Sequence, residues 1–195
     1  MSSFIGHGLA ALTIGKLFQP EQVGKTNFKW LAYLIICSVA PDIDYLVNSL
    51  NSANNEGVRI THSIGYCLFL PLILMTYFSV YKREYIWKGG LQAFLAGVSH
   101  LLLDTLVGSR QGDPWLYPLL IENYRLPFGL LPSAGAISLS NYYFYRNLLI
   151  ELGVLLPIFL LFLTGFGKIK LSKAWIIILI AFLAFFLIWS INLTR

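Results

Sequence analysis

The sequence predicts an all-α fold: a polytopic membrane helical bundle with about six membrane-embedded helices. Three observations predict it. Hydrophobic residues make up 57% of the 195 positions and charged residues only 12%, about half the charged share of an ordinary soluble domain. Apolar runs of about 16–20 residues recur along the chain, the length that crosses a hydrocarbon core. The basic residues gather in alternate short loops between those runs, as cytoplasmic turns do. The same composition excludes a disordered chain and a disulfide scaffold. It excludes nucleic-acid binding too, because the net charge of +5 is too dispersed to form a contiguous basic stripe.

Taken in order, the first run is Ser3 to Phe18. The segment MSSFIGHGLAALTIGKLF has no basic region before its apolar stretch and no clear cleavage site after it, so it is expected to stay in the mature protein. Trp30 to Val47 follows, interrupted by Pro41, which cannot continue a helix without losing a backbone hydrogen bond. Ile64 to Tyr81 and Ala174 to Leu193 are uncharged over about 18–20 residues and long enough to span. Gly90 to Val107 is apolar apart from His100 and Asp104. Leu148 to Phe166 carries only Glu151, near its start, where a carboxylate can reach the interface. Cys37 and Cys67 lie inside apolar runs and read as small buried hydrophobes.

Nine of the fourteen Lys and Arg lie in three short loops: Lys16, Lys25 and Lys29; Lys82, Arg83 and Lys88; Lys168, Lys170 and Lys173. Those loops are assigned to the cytoplasm. The protein is therefore expected in the plasma (inner) membrane with both termini outside. No linker-like composition divides it, so residues 1–147, with an outer loop 108–147, and the two C-terminal spans of 148–195 are read as one unit.

That topology brings His7, Asp42, Asp44, His62, His100 and Asp104 to the non-cytoplasmic side. They include all three histidines of the chain and three of its nine acids. His100 and Asp104, at i and i+4, share a helix face and can reach one ion. Asp42 and Asp44 follow the break at Pro41. Intramembrane ionisable groups of this kind are functional candidates. Thr61 or Ser63 can cap the helix that His62 opens, whose dipole favours a neutral, ligating imidazole. The glycines beside His7 admit a close neighbour. Imidazoles with carboxylates suit zinc, manganese or iron better than calcium or magnesium. One or two divalent ions, zinc foremost, are expected, and two ions would acidify a shared water and clamp an in-line phosphoryl displacement.

The strings GHGLA, APDIDYL, RITHS and GVSHLLLDTL, followed by PWLYPLLIENYRLPFGLL, resemble in order and spacing the YdjM-like family of inner-membrane-associated metal-dependent hydrolases, over roughly residues 1–132. That family is in turn distantly similar to zinc-dependent phospholipase C and the single-strand-specific nucleases, all-helical enzymes with a three-zinc site. The resemblance implies a phospholipase-C-like metal-site core. In it Asp42 or Asp44, His62, His100 and Asp104 hold one metal, and His7 with a bridging Asp104 holds a second. No histidine follows His100, so a third site is not implied. Two further departures are NEGVRITHS, where Glu56 lies near the place of a family histidine, and Tyr45, which replaces a histidine after PDID.

The expected function is a membrane-bound metal-dependent hydrolase of a phosphoester, such as a phospholipid or lipid-linked phosphate, with Asp44 and Asp104 catalytic. Its partners would be membrane lipid and a small phosphoester or lipid substrate. The aromatics Trp115, Tyr117, Tyr124, Tyr142, Tyr143 and Tyr145 belong at a headgroup interface. They roof the site in the sharper reading, with Arg110 or Arg125 taking the phosphate. The rivals are an ion-coupled transporter, whose relay should reach both faces, and a non-catalytic metal-binding membrane protein.

Overall fold

The computed structural model describes residues 3–18, 28–47, 50, 58–81, 83, 86–107, 112–126, 129–133 and 140–193. Among the described residues, seven α-helices run in order: α1 (Phe4–Leu17), α2 (Phe28–Val39), α3 (Ile64–Cys67), α4 (Phe69–Tyr81), α5 (Ile86–Val107), α6 (Tyr142–Gly165) and α7 (Lys173–Ile191). Between α2 and α3 the described residues include the 3-10 turns Ala40–Tyr45 and Ile60–His62. Among the described residues there is no strand, only an isolated antiparallel bridge between Asp113 and Tyr124.

Among the described residues, four stretches are long and apolar enough to cross a membrane: 64–81, 86–107, 142–165 and 173–191. The first expected run, Ser3 to Phe18, is the 14-residue α1 with those two residues as its caps, but the second is shortened, since α2 has 12 residues and ends at Val39. Pro41 is the physical reason in α2: the α-helix stops at Val39 and the chain tightens into a 3-10 turn. A second proline acts the same way further on. Pro71 cannot donate to the Cys67 carbonyl, and the helix breaks there, leaving α3 and α4 on either side of Leu68.

The long helix α5 is central, packed by α1, α2 and α4, while α6 joins the bundle through α1 and carries α7 outside it. Small side chains set these approaches. Ala11, Leu34, Cys37, Ala93 and Ala96 bring α1, α2 and α5 together. Gly97 of α5 faces α3, where a Cβ would lie 3.1 Å from that of Cys67. A second apolar cluster ties α1, α5, α6 and α7 through Ala10, Leu103, Ile150, Val154 and Phe186. The outer faces of α4 and α7 stay apolar and exposed, as lipid-facing helices do.

Glu151 does not reach the interface as its sequence position suggested. It is fully buried, and its two carboxylate oxygens accept the Ser3 N–H at 2.8 and 3.1 Å. Ser3 in turn caps α1, its hydroxyl oxygen accepting the Gly6 N–H at 3.0 Å. The acid of α6 thus fixes the start of the helix that carries His7.

Gly153 is the tightest of these contacts, because a Cβ there would lie 2.3 Å from the Phe186 ring, whereas one at Gly165 meets nothing within 4 Å. Gly153→Ala is therefore expected to destabilise the detergent-solubilised protein by about 1–3 kcal/mol through overpacking. Gly165→Ala should leave the thermal unfolding midpoint within error of wild type.

Candidate metal centre

Each polar group of the centre is delivered by a local feature of the backbone. Beyond Pro41 the 3-10 turn presents Asp42 and Asp44 inward, and both are buried. In the 3-10 register Pro41 has no N–H to give the Ser38 carbonyl. That carbonyl instead accepts the His100 Nδ1–H at 2.8 Å, while the Ser38 hydroxyl donates to the His7 carbonyl at 2.8 Å. Ser63 caps α3 by accepting the Tyr66 N–H at 3.2 Å, so the imidazole of His62 lies at the turn just before that helix. Asp104 follows His100 by one turn of α5, on the same buried face.

Asp42, His62, His100 and Asp104 form one buried group whose ligand atoms all lie within 4.8 Å of one another. The Nε2 atoms of His62 and His100 face each other at 3.1 Å. From His62 Nε2, Asp42 Oδ1 is 3.6 Å away and Asp104 Oδ2 3.5 Å; from His100 Nε2 the distances are 3.6 and 3.7 Å. Ligand atoms on one tetrahedral zinc are spaced at roughly 3.3 Å, given bonds of about 2.0–2.1 Å.

The protonation pattern points the same way. A carbonyl only accepts, so His100 carries its proton on Nδ1 and turns a lone pair toward His62, the arrangement that second-shell partners impose on metal-ligating histidines. The Nδ1 of His62 is likewise occupied, with the Thr61 hydroxyl at 3.1 Å and Asp44 Oδ2 at 3.7 Å. Neither oxygen of Asp42 makes a hydrogen bond, nor does either ring nitrogen of His7. Buried acceptors with no donor are costly, and here they converge. A divalent cation fits this donor set.

Two groups that matter were not singled out in the sequence. Arg59 donates through Nε and Nη2 to the two oxygens of Asp44, at 2.9 and 3.3 Å. Its guanidinium also lies 3.6 Å from Asp42 and 3.7 Å from both Asp104 and Asp113. Burial opposes the Arg59 charge, but Asp44, Tyr45 and Asp104 more than offset it and hold the group above its ordinary value. Asp113 enters from the bridge with Tyr124, next to Gly112, whose φ of +69° and 2.7 Å approach to the Tyr124 carbonyl exclude a side chain. Burial pushes the Asp113 carboxyl up to about 6.

The remaining expected residues fall as follows. Asp44 is within the cluster but outside the four-ligand group, its carboxylate held by Arg59. His7 stacks on His100, with ring centroids 3.8 Å apart, and approaches the other oxygen of Asp104 at 3.5 Å. Arg110 and Glu56 lie outside the described residues, and Arg125 is exposed beside the Asp113–Tyr124 bridge. Ser63, not Thr61, is the cap before α3.

A family model described as YdjM inner membrane protein matches residues 1–193. No curated protein and no solved structure matches the chain.

Removing a convergent ligand should remove the ion. His100→Ala and Asp104→Asn are each expected to lower zinc retained after desalting by tenfold or more, read by elemental analysis of the purified protein. His7→Ala, outside the four-ligand group, should keep most of it.

Proposed function

The chain belongs to the YdjM inner membrane protein family, and from that premise we propose that it is a membrane-bound metal-dependent hydrolase of phosphoesters. The observation that carries this reading is the convergence of Asp42, His62, His100 and Asp104, with two imidazole Nε2 atoms facing each other at 3.1 Å. The distant similarity that the motif resemblance implies between the family and zinc-dependent phospholipase C favours zinc and suggests the phosphoester class. A bound divalent cation would supply an acidified water and a Lewis-acid contact to the phosphoryl group.

The protein's own groups divide the remaining work. Asp42, His62, His100 and Asp104 hold the cation. Asp44 is tied through both oxygens to Arg59 and orients that guanidinium, in place of the ligand or catalytic role expected of it from the sequence. His7 sits against Asp104 and has both ring nitrogens free of hydrogen bonds, so it can take a proton near the reacting water. Arg59 Nη1 comes within 3.7 Å of its nearest carboxylates, beyond hydrogen-bond reach, and retains N–H groups for a phosphoryl oxygen.

A lipid substrate is supported by the segment that Asp113 anchors. Beyond Trp115, which accepts the Ile64 N–H at 2.9 Å, Leu119 is 86% and Ile121 68% exposed. Such side chains suit an apolar interface. Lys16, Lys88, Lys168, Lys170 and Lys173 sit at the helix ends opposite the centre, which favours a site facing the non-cytoplasmic side. The buried titratable residues at the centre and its rim, Glu151 included, are all at one end of the bundle, which disfavours a relay across the membrane.

Hydrolysis of a phospholipid or lipid-linked phosphate in vesicles is expected to stop with a zinc chelator and return on adding zinc. Asp104→Ala should abolish it, and full metal content with full activity in that variant would sink the assignment. Leu119→Ser with Ile121→Ser should slow turnover of a lipid substrate several-fold while sparing a short-chain soluble ester of the same headgroup.

A further inference from the structure

Among the described residues, Arg59 is the cationic side chain set among four buried aspartates. It donates to both oxygens of Asp44 and lies 3.6–3.7 Å from Oδ1 of Asp42, Oδ2 of Asp104 and Oδ1 of Asp113, bordering the four-ligand group on its Asp44 side. Its side chain is only 12% exposed. One place for a second ion is beside His7, and there the support is thin. His7 meets the far oxygen of Asp104 at 3.5 Å, yet among the described residues only one group of three or more ligands converges, and His7 is not in it.

We propose that the Arg59 guanidinium stands in the second cation position of this centre, so that the chain binds one divalent ion and carries its other positive charge on a side chain. The inference rests on the metal-site reading above and deepens it. Four aspartates beside neutral imidazoles carry more negative charge than one dication offsets, and uncompensated buried charge is severely penalised. A guanidinium supplies it permanently, being protonated at any working pH, and its planar fork matches Asp44 through two hydrogen bonds. An ion in the same place would instead demand ligands at about 2.0–2.2 Å from at least three of these groups. Arg59 also keeps the reach of a second metal toward a phosphoryl oxygen, without needing a second ion from solution.

The test counts ions in the full-length protein in detergent. Wild type saturated with manganese and desalted should hold one ion per chain, with the isolated hyperfine sextet of a lone Mn(II) in its electron paramagnetic resonance spectrum. Arg59→Lys should do the same. Arg59→Ala should admit a second ion, raising the content to two per chain, with a broadened, exchange-coupled spectrum. Should Arg59→Ala not purify as a monodisperse folded species, Arg59→Gln carries the same comparison. Two coupled ions in wild type would overturn the proposal, and so would a folded Arg59→Ala that stays at one ion or loses it. Wild type that binds no ion would instead overturn the metal-site reading itself, and this inference with it.

Discussion

Four aspartates buried at the metal centre of an apolar bundle, with one guanidinium among them in the described residues, form the constraint on which the rest of this structure depends. Asp42, Asp44, Asp104 and Asp113 are each almost fully shielded from solvent, where an unpaired charge costs several kcal/mol even after relaxation. No apolar packing offsets such a cost. The surrounding polar groups are therefore arranged around positive charge: Arg59 grips Asp44, and the three imidazoles turn ring nitrogens toward the remaining oxygens. The same pull acts on His62, where burial lowers proton affinity but the carboxylates of Asp104 and Asp42 more than reverse it. A proton and a divalent ion compete for one electrostatic need.

Prolines and small residues turn that need into geometry. Pro41 ends α2, frees the Ser38 carbonyl for His100 and throws two aspartates inward within the next three residues. Pro71 breaks the third apolar run at the Cys67 carbonyl, beside the face of α5 that Gly97 keeps open. Close approach of α1, α2 and α5 over alanine and glycine then sets the imidazoles of His7 and His100 in a stack only 13° from parallel. Had these helices carried larger side chains at those positions, the ligands would stand too far apart to share an ion. Helix interruption and ligand placement are one event here.

Groups carried by local spacing were legible in the sequence. His100 and Asp104 share a face because four residues make about one helical turn, and the acids after Pro41 announce themselves by their cost in an apolar run. The all-helical fold was legible for the same reason, being written in runs of apolar residues. What depends on distant segments was not. Arg59 lies in a polar stretch where a lone arginine is unremarkable, and only the 3-10 turn that follows folds it back over Asp44. Its signal was charge: three aspartates were assigned to the site beside three histidines read as neutral ligands, and no cationic side chain was matched to them. Glu151 was misjudged because its partner, the Ser3 N–H, is 148 residues away. The length of the second span was overestimated because hydropathy continues past Val39 through a 3-10 turn that does not prolong the α-helix.

Depth decides what such a centre can meet. His100 and Asp104 are buried in the last two turns of a helix long enough to span a membrane, and in the proposed reading the substrate reaches them from the lipid phase. A fully hydrated ester would have to shed its water to enter. A lipid already has its acyl chains in that phase, and only its headgroup must be drawn down to the carboxylate and imidazole cluster. The segment from Asp113 to Tyr124 couples the two environments: its buried end touches Arg59 at 3.7 Å, and its middle exposes Leu119, Leu120 and Ile121. Insertion of those residues among lipid tails would pull on the same backbone that holds Asp113. The exposed apolar side chains and the site charge are thereby linked through a single short stretch of chain, with Gly112 at its root because no other residue fits the left-handed turn against the Tyr124 carbonyl.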